Sequence, residues 1–307
     1  MNQNIYDKLK QILSSAQVKA DEPMKNHITF RVGGPADVYV VPKTKEELLQ
    51  VITCCKAENV PYYIIGNGSN LLVGDKGYRG VVIQIFKEMN EITCEGNVIC
   101  AQAGALLSQV AAKALEQSLT GFEFAAGIPG TLGGACVMNA GAYGGEMKDV
   151  LKEVTVLTDE GEFLTIPKEE LELGYRHSVF SRRPWLITGA ALTLTPGEPQ
   201  QIRETMAELA QRRRSKQPLE YASAGSTFKR PAGHFAGGLI EQCGLKGTAV
   251  GGAQVSEKHA GFVINTGGAT CRDVLALIRL VRDTVRRETG VELEPEVRLL
   301  GCTLEEA

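Results

Sequence analysis

The sequence predicts an α+β fold divided into three units, and three observations carry that prediction. Helical stripes and β-patterned runs are interleaved along the 307 residues, without repeats or low-complexity segments. Pro196-Gly197 makes the clearest composition break. Two glycine-rich loops, one beginning at Gly66 and one spanning 121–145, are mixed with apolar residues and so belong to folded structure rather than to linkers. The units are expected at 1–88, 89–197 and 198–307.

Taken in order, Ile5, Leu9, Ile12 and Ala16 fall on one face of an N-terminal helix. Thr44-Lys-Glu-Glu47 reads as a capping box for a second helix, with Leu48, Val51, Ile52 and Cys55 on its apolar side and Pro61 closing it. β-patterned runs follow at 62–65, 80–86 and 97–102. A third helix has Leu106, Leu107, Val110, Ala111, Ala114 and Leu115 as its core side. Beyond the long glycine-rich stretch, strands are expected at 150–157, 162–166 and 185–195. Pro199 suits the first turn of a helix running to about Arg214, with Ile202, Met206 and Leu209 inward. A short helix at 235–243 stops at Gly244, and strands are expected at 248–255 and 261–266. Thr270 with Asp273 caps a helix carrying Val274, Leu277, Ile278, Val281 and Val285, which ends at Gly290. A last strand is expected over 291–300.

Composition narrows the class of function. Hydrophobic content of 43% and charged content of 22% are ordinary for a soluble globular protein. A net charge of −3 gives no general attraction to nucleic acid or to anionic membranes, so any polyanion site must be local. No apolar run is long enough to span a bilayer, and the N-terminus lacks the apolar core of a signal peptide. The eight cysteines include no Cys-x-x-Cys pair, and no histidine stands at metal-ligand spacing. Buried thiols in the cytoplasm, with no metal site, are the expectation.

Gly66-Asn67-Gly68-Ser69-Asn70-Leu71 has the chemistry of an anion nest: glycines let successive N–H groups converge, and Ser69 and Asn70 add side-chain donors. It is neither a Rossmann fingerprint nor a P-loop, since a third glycine, an immediate helix and a Gly-Lys-Ser/Thr are all missing. Glycines 127, 130, 133 and 134, interspersed with Ile128, Pro129 and Thr131, form a second backbone-rich stretch. Two such loops in the N-terminal half suit a flat, phosphate-bearing ligand held largely by main-chain groups. Elsewhere, Ser226 lacks the Gly-x-Ser-x-Gly elbow of a hydrolase nucleophile. Taken singly, Tyr175-Arg176, Glu296 and the cations at 212–216 read equally well as a surface turn, a solvent-facing strand residue and a helix end complementing its dipole.

In combination these residues resemble the UDP-N-acetylenolpyruvoylglucosamine reductase family. The resemblance runs from Asn26-His27-Ile-Thr-Phe-Arg-Val-Gly-Gly-Pro35 to Glu296-Val-Arg-Leu-Leu-Gly301. It rests on Gly66–Leu71, Glu123-Phe-Ala-Ala-Gly-Ile-Pro-Gly130, Met138-Asn139-Ala-Gly141, Tyr175-Arg176, Ala224-Gly-Ser226 and Glu294-Pro-Glu296. It implies an FAD-binding fold of the p-cresol methylhydroxylase/vanillyl-alcohol oxidase type, formed by the first two units as subdomains. The third unit is then a smaller α+β substrate domain with a C-terminal catalytic strand. It also implies dissociable FAD, NADPH as co-substrate, UDP-N-acetylglucosamine enolpyruvate as substrate, and no obligatory protein partner.

By the same resemblance, hydride passes from flavin N5 to C3 of the enolpyruvyl ether and Ser226 gives a proton to C2. Arg176 and Glu296 stabilise the enolic intermediate, Glu296 by donating a hydrogen bond in its protonated form. The cofactor contacts implied are Gly66, Asn67, Gly68, Ser69, Asn70, Leu71, Gly127, Ile128, Gly130, Thr131, Gly133, Gly134 and Asn139. Arg213 or Arg214 falls where family members present a basic residue to the substrate diphosphate. Tyr175, Lys229, Arg230 and His259 are further substrate candidates. Lys229-Arg230-Pro231 departs from relatives with Asn before this proline, and His259 stands where some relatives have glutamine. The short segment 176–190 lacks the tyrosine-bearing insertion of one family branch. Two other readings compete: an FAD oxidase of the same superfamily acting on another small molecule, and a non-redox nucleotide-sugar binding module.

Overall fold

A computed structural model describes residues 3–306. Its first sheet has the order Val18–Pro23, Pro35–Val40, Tyr78–Gln84, Tyr62–Ile65. The first pair is antiparallel and the other two are parallel. Alternation along these strands sends Val38, Val40, Val81 and Ile83 to one face and Tyr39 and Val82 to the other, all buried, while a register shift between Ala36 and Val38 puts Ala36 with the second set. The first face meets the helices Gln3–Ile12 and Lys45–Ala57 through Ile5, Leu9, Leu48, Val51 and Cys55. The stripe expected at the N-terminus is one turn too long: the helix ends at Ile12, and Ala16 lies exposed in a 3₁₀ turn. Half of the expected capping box forms. Thr44 Oγ1 accepts from the Glu47 N–H at 3.2 Å, while the Glu47 carboxylate is drawn instead to the Lys43 N–H and Gln17, both at 2.7 Å.

The second sheet is antiparallel throughout, in the order Phe163–Pro167, Leu151–Leu157, Leu186–Thr193, Val98–Gln102, Ile92–Glu95. It packs into the same core as the first face, with the helices Leu107–Glu116 and Leu132–Met138. The helix Pro199–Lys216, expected to open the third unit, lies against the helix Leu107–Glu116 and the turn Glu123–Ala125. Ile202 is buried, and Met206 packs on the first core.

The third sheet runs Ala222–Ser223, Val263–Asn265, Ala253–Val255, Ala249–Val250, covered by the helix Cys271–Thr289. The continuous strand expected over 248–255 is a hairpin broken at Gly251-Gly252, because the turn presses on the start of that helix. A Cβ on Gly251 would come within 2.4 Å of the Asp273 carboxyl, and one on Gly252 within 2.5 Å of Ala269 N. The strand expected over 291–300 is confined to Arg298–Leu300. Pro295 offers no N–H, so 291–297 runs as extended chain tied to 227–229 instead. Arg298–Leu300 then pairs in parallel with Leu71–Val73, which brings the chain's end back beside the first glycine loop. The other face of the first sheet and the third unit share the second core, in which Tyr39, Leu72, Val82, Phe228, Ile278 and Val297 meet.

Candidate active site

Arg176, Ser226 and Glu296 lie on the wall of one cavity of about 650 Å³, together with the loop 141–146 and residues 258–261. Arg176 sits in the left-handed region at φ +52°. Gly174 and His177 exchange backbone hydrogen bonds across it, at 3.0 and 3.1 Å, which fixes the turn. From there its Nε donates to Glu296 Oε1 at 2.6 Å. Glu296 is itself held at both backbone groups: its N–H donates to Thr227 O at 2.8 Å, and its carbonyl accepts from Asn70 Nδ2 at 3.2 Å. Burial pushes the Glu296 carboxyl above its ordinary range, while Arg176 pulls the other way. Thr227 is buried, and its Oγ1 accepts from the Val263 N–H at 2.9 Å, so the residue after Ser226 is anchored to the sheet. The Ser226 hydroxyl is exposed on the cavity wall and makes no hydrogen bond among the described residues.

The two glycine-rich loops meet. Asn67 Nδ2 donates to Pro129 O at 3.0 Å, and a Cβ on Gly66 would collide with Thr131 Oγ1 at 2.2 Å. Gly68 adopts φ +62° against the His27 carbonyl, where a Cβ would come within 2.6 Å. The N–H groups of Asn67, Gly68, Ser69 and Asn70 find no acceptor among the described residues. Four successive free donors facing a close-packed glycine loop fit an anionic group such as a pyrophosphate. Other residues expected at the cofactor also make contacts within the protein, and Asn139 lines the cavity. Gly133 donates to Ala103 O at 2.9 Å and gives the helix Leu132–Met138 its close approach to that strand end. Leu71 is buried in the second core, and Ile128 packs on the first. The Asn139 side chain is taken up by Glu146, Gly174 O and the Lys148 N–H, at 2.6, 3.1 and 2.9 Å, so it shapes the loop rather than offering free donors.

Of the substrate candidates, Tyr175, Arg230 and His259 line the cavity. Tyr175 Oη accepts from the Arg230 N–H at 3.0 Å, and the Arg230 guanidinium stacks 4.3 Å above Phe235. His259 Nδ1 accepts from the Gly261 N–H at 3.1 Å, and burial lowers the ring's pKa. The ring is therefore neutral with its proton on Nε2, a donor for a polar ligand. Lys229 is not brought to the cavity, because its ammonium pairs with Glu294. Arg213 and Arg214 diverge. Arg214 is exposed and bonds Gln211, whereas Arg213 is half-buried beside Gly127, a Cβ on which would lie 3.3 Å from its Cδ and 3.4 Å from its Nη1. No carboxylate among the described residues pairs with Arg213, and burial disfavours its charge. Sequence reasoning missed Lys258, Tyr143 and Phe235, which also line the cavity. Tyr143 and Phe235 are 46% and 66% exposed, and the legible signal was an aromatic directly before a glycine pair or separated from it by one residue, Gly144-Gly145 and Gly237-Gly238.

Residues 217–300 match the family model described as UDP-N-acetylenolpyruvoylglucosamine reductase, C-terminal domain, and residues 36–167 match that of an FAD binding domain. The chain is 51% identical to the UDP-N-acetylenolpyruvoylglucosamine reductase of Caldanaerobacter subterraneus subsp. tengcongensis, over 98% of its length and 99% of the relative's. It is 52% identical to that of Clostridioides difficile, with 98% and 99% covered. The crystal structure of UDP-N-acetylenolpyruvylglucosamine reductase from Thermus caldophilus matches with a TM-score of 0.79 and 38% identity, covering 92% of this chain and 98% of that one.

Proposed function

The chain belongs to the UDP-N-acetylenolpyruvoylglucosamine reductase family, and from that membership we propose how its own residues carry the reaction. It is an FAD-dependent oxidoreductase of peptidoglycan precursor synthesis, which uses NADPH to reduce UDP-N-acetylglucosamine enolpyruvate to UDP-N-acetylmuramate. The cytoplasm is the compartment we assign, since the unbridged thiols of Cys54, Cys55, Cys94, Cys100, Cys136 and Cys243 suit a reducing environment; among the described residues no helix is long and apolar enough to cross a membrane. What bound FAD supplies is a hydride, taken from NADPH and passed from N5 to C3 of the enolpyruvyl ether. We assign its pyrophosphate to the N–H groups of 67–70 and to Arg213, with no covalent link to the protein.

A hydride arriving at C3 leaves negative charge on C2 and the adjoining carboxylate. Arg176 holds a fixed positive charge there, preorganised by its strained turn and by Glu296. Glu296 donates a hydrogen bond from its protonated form, which burial favours. Ser226 Oγ delivers a proton to C2. Tyr175, Arg230 and the Nε2–H of His259 orient the sugar nucleotide on the cavity wall. The observation that carries this reading is the convergence of Ser226 with a 2.6 Å Arg176–Glu296 contact made across 120 residues of chain, in one cavity.

The test separates the two half-reactions. Ser226→Ala should leave FAD reduction by NADPH close to wild type, because that step needs no proton at C2. Reduced variant mixed anaerobically with substrate should reoxidise roughly 10²–10⁴-fold more slowly, the usual contribution of a positioned proton donor. Reoxidation at the wild-type rate overturns the role of Ser226, and slow reduction by NADPH marks a structural defect instead.

A further inference from the structure

The first glycine loop owes its donor geometry to a buried side chain outside it. Gln84, last residue of the strand Tyr78–Gln84, is 1% exposed and donates from Nε2 to the Gly66 carbonyl at 3.0 Å. Its Oε1 accepts from the Tyr39 hydroxyl. These contacts fix the amide's orientation without ambiguity: Gly66 O can only accept, so Nε2 must face it, and Oε1 is left for a hydroxyl that must donate. Tyr39 keeps its proton, since burial raises its pKa well beyond the ordinary value. Its ring is stacked at 4.1 Å on His27, whose Nε2 lies 2.7 Å from Glu22 Oε1 and whose carbonyl packs under Gly68. The buried His27, Tyr39 and Gln84, with the half-buried Glu22 at the outer end, thus form one chain of contacts that ends on the loop.

A trans peptide is planar, with its C=O and N–H directed oppositely. Holding the Gly66 carbonyl inward on Gln84 turns the Asn67 N–H outward. The same device recurs two residues on, where Gly68 O accepts from the Thr29 N–H at 3.2 Å and the Ser69 N–H turns outward. Of these two anchors, Gln84 alone is a side chain. We propose that Gln84, oriented by Tyr39, is a positioning residue for cofactor binding: it sets the peptide plane that aims the Asn67 N–H at the phosphates of FAD. The proposal rests on the assignment of the 67–70 donors to that group.

The test reads flavin affinity and fold stability separately, on the apoprotein titrated with FAD and followed by flavin fluorescence. Gln84→Met fills the same volume without the donor. It should weaken FAD binding by about tenfold, the worth of one hydrogen bond, while the melting temperature of the apoprotein falls only by the cost of leaving the Tyr39 hydroxyl unpartnered. Tyr39→Phe keeps the ring stack and removes only the donor that orients the amide, so it should weaken binding in the same direction and by less. Wild-type affinity in both variants overturns the proposal. An apoprotein that melts far lower with a proportionate loss of affinity in both variants also overturns it, assigning Gln84 to the core. Gly68→Val, which blocks the nest itself, distinguishes failure of the underlying assignment. If that variant retains stoichiometric flavin, the loop does not hold FAD; if it purifies colourless while Gln84→Met binds normally, only the role of Gln84 falls.

Discussion

Glu296 carries two opposing influences at a single residue, and their balance predicts a pH dependence. Burial favours its neutral form and Arg176, at 2.6 Å, favours its charged form; burial is the larger, and the carboxyl titrates above its ordinary range. The protonated, donating form is therefore depleted as pH rises through that raised pKa, and reoxidation of reduced flavin by substrate should slow along an alkaline limb. Glu296→Gln keeps a donor that does not titrate, so the variant should be slower overall yet lose that limb, whereas Glu296→Ala should lose the donor at every pH. Anaerobic stopped-flow reoxidation across a pH series measures this, and an alkaline limb unchanged in Glu296→Gln would reject the assignment. At this scale the serine, the arginine and the glutamate were legible only in combination, through the family resemblance, since each alone reads as an ordinary turn or strand residue. The sequence was uninformative where a partner lies far along the chain. Lys229 and Asn139 look available in sequence, but Glu294 stands 65 residues from the first and Gly174 35 from the second.

Helices were the most legible elements, because their caps and stripes are local. Thr270 Oγ1 accepts from the Asp273 N–H, the Asp273 carboxylate accepts from the Thr270 N–H, and Gly290 closes the helix at φ +74°, as the spacing predicts. The sequence could not reveal that the same helix is capped a second time, from the first unit. Asp75 accepts from the Cys271 and Arg272 N–H groups at 2.7 and 3.0 Å, across nearly two hundred residues of chain. A carboxylate on first-turn N–H groups at the positive end of a 19-residue helix is favourable. Asp75→Ala should lower stability by about 1–2 kcal/mol in urea denaturation, and Asp75→Asn, which keeps an acceptor, by less. A stability unchanged in both variants would show that Thr270 and Asp273 suffice. Strands were less legible for the same physical reason: 248–255 and 291–300 are β-patterned, but close packing at Gly251-Gly252 and the missing N–H of Pro295 decide where pairing stops.

For the whole molecule, the composition break at Pro196-Gly197 suggests a clean division, but the cores are distributed differently. The first sheet contributes one face to each core, and the C-terminal strand returns to pair beside Asn70. The cavity accordingly draws its wall from the loop 141–146, from Ser226, Phe228, Arg230 and 235–238, from 258–261, and from the chain's last extended segment. Arg213 sits at this seam. It belongs to the helix Pro199–Lys216, it lies against Gly127 of the second glycine loop, and it interacts electrostatically with Tyr143 of the cavity loop. A half-buried guanidinium with no carboxylate partner among the described residues costs stability unless an anion completes it. That makes the two neighbouring arginines a discriminating pair. Arg213→Ala should weaken FAD binding by roughly tenfold or more, as expected for a charge-assisted contact to phosphate, and should leave the apoprotein as stable as wild type or slightly more so. Arg214→Ala, on the solvent side of the same turn, should change neither flavin affinity nor the KM for the sugar nucleotide. A raised KM with normal flavin affinity in Arg213→Ala would move its phosphate contact from the cofactor to the substrate. If both quantities were unchanged, the cluster would be a solvated helix end whose cations serve only the dipole.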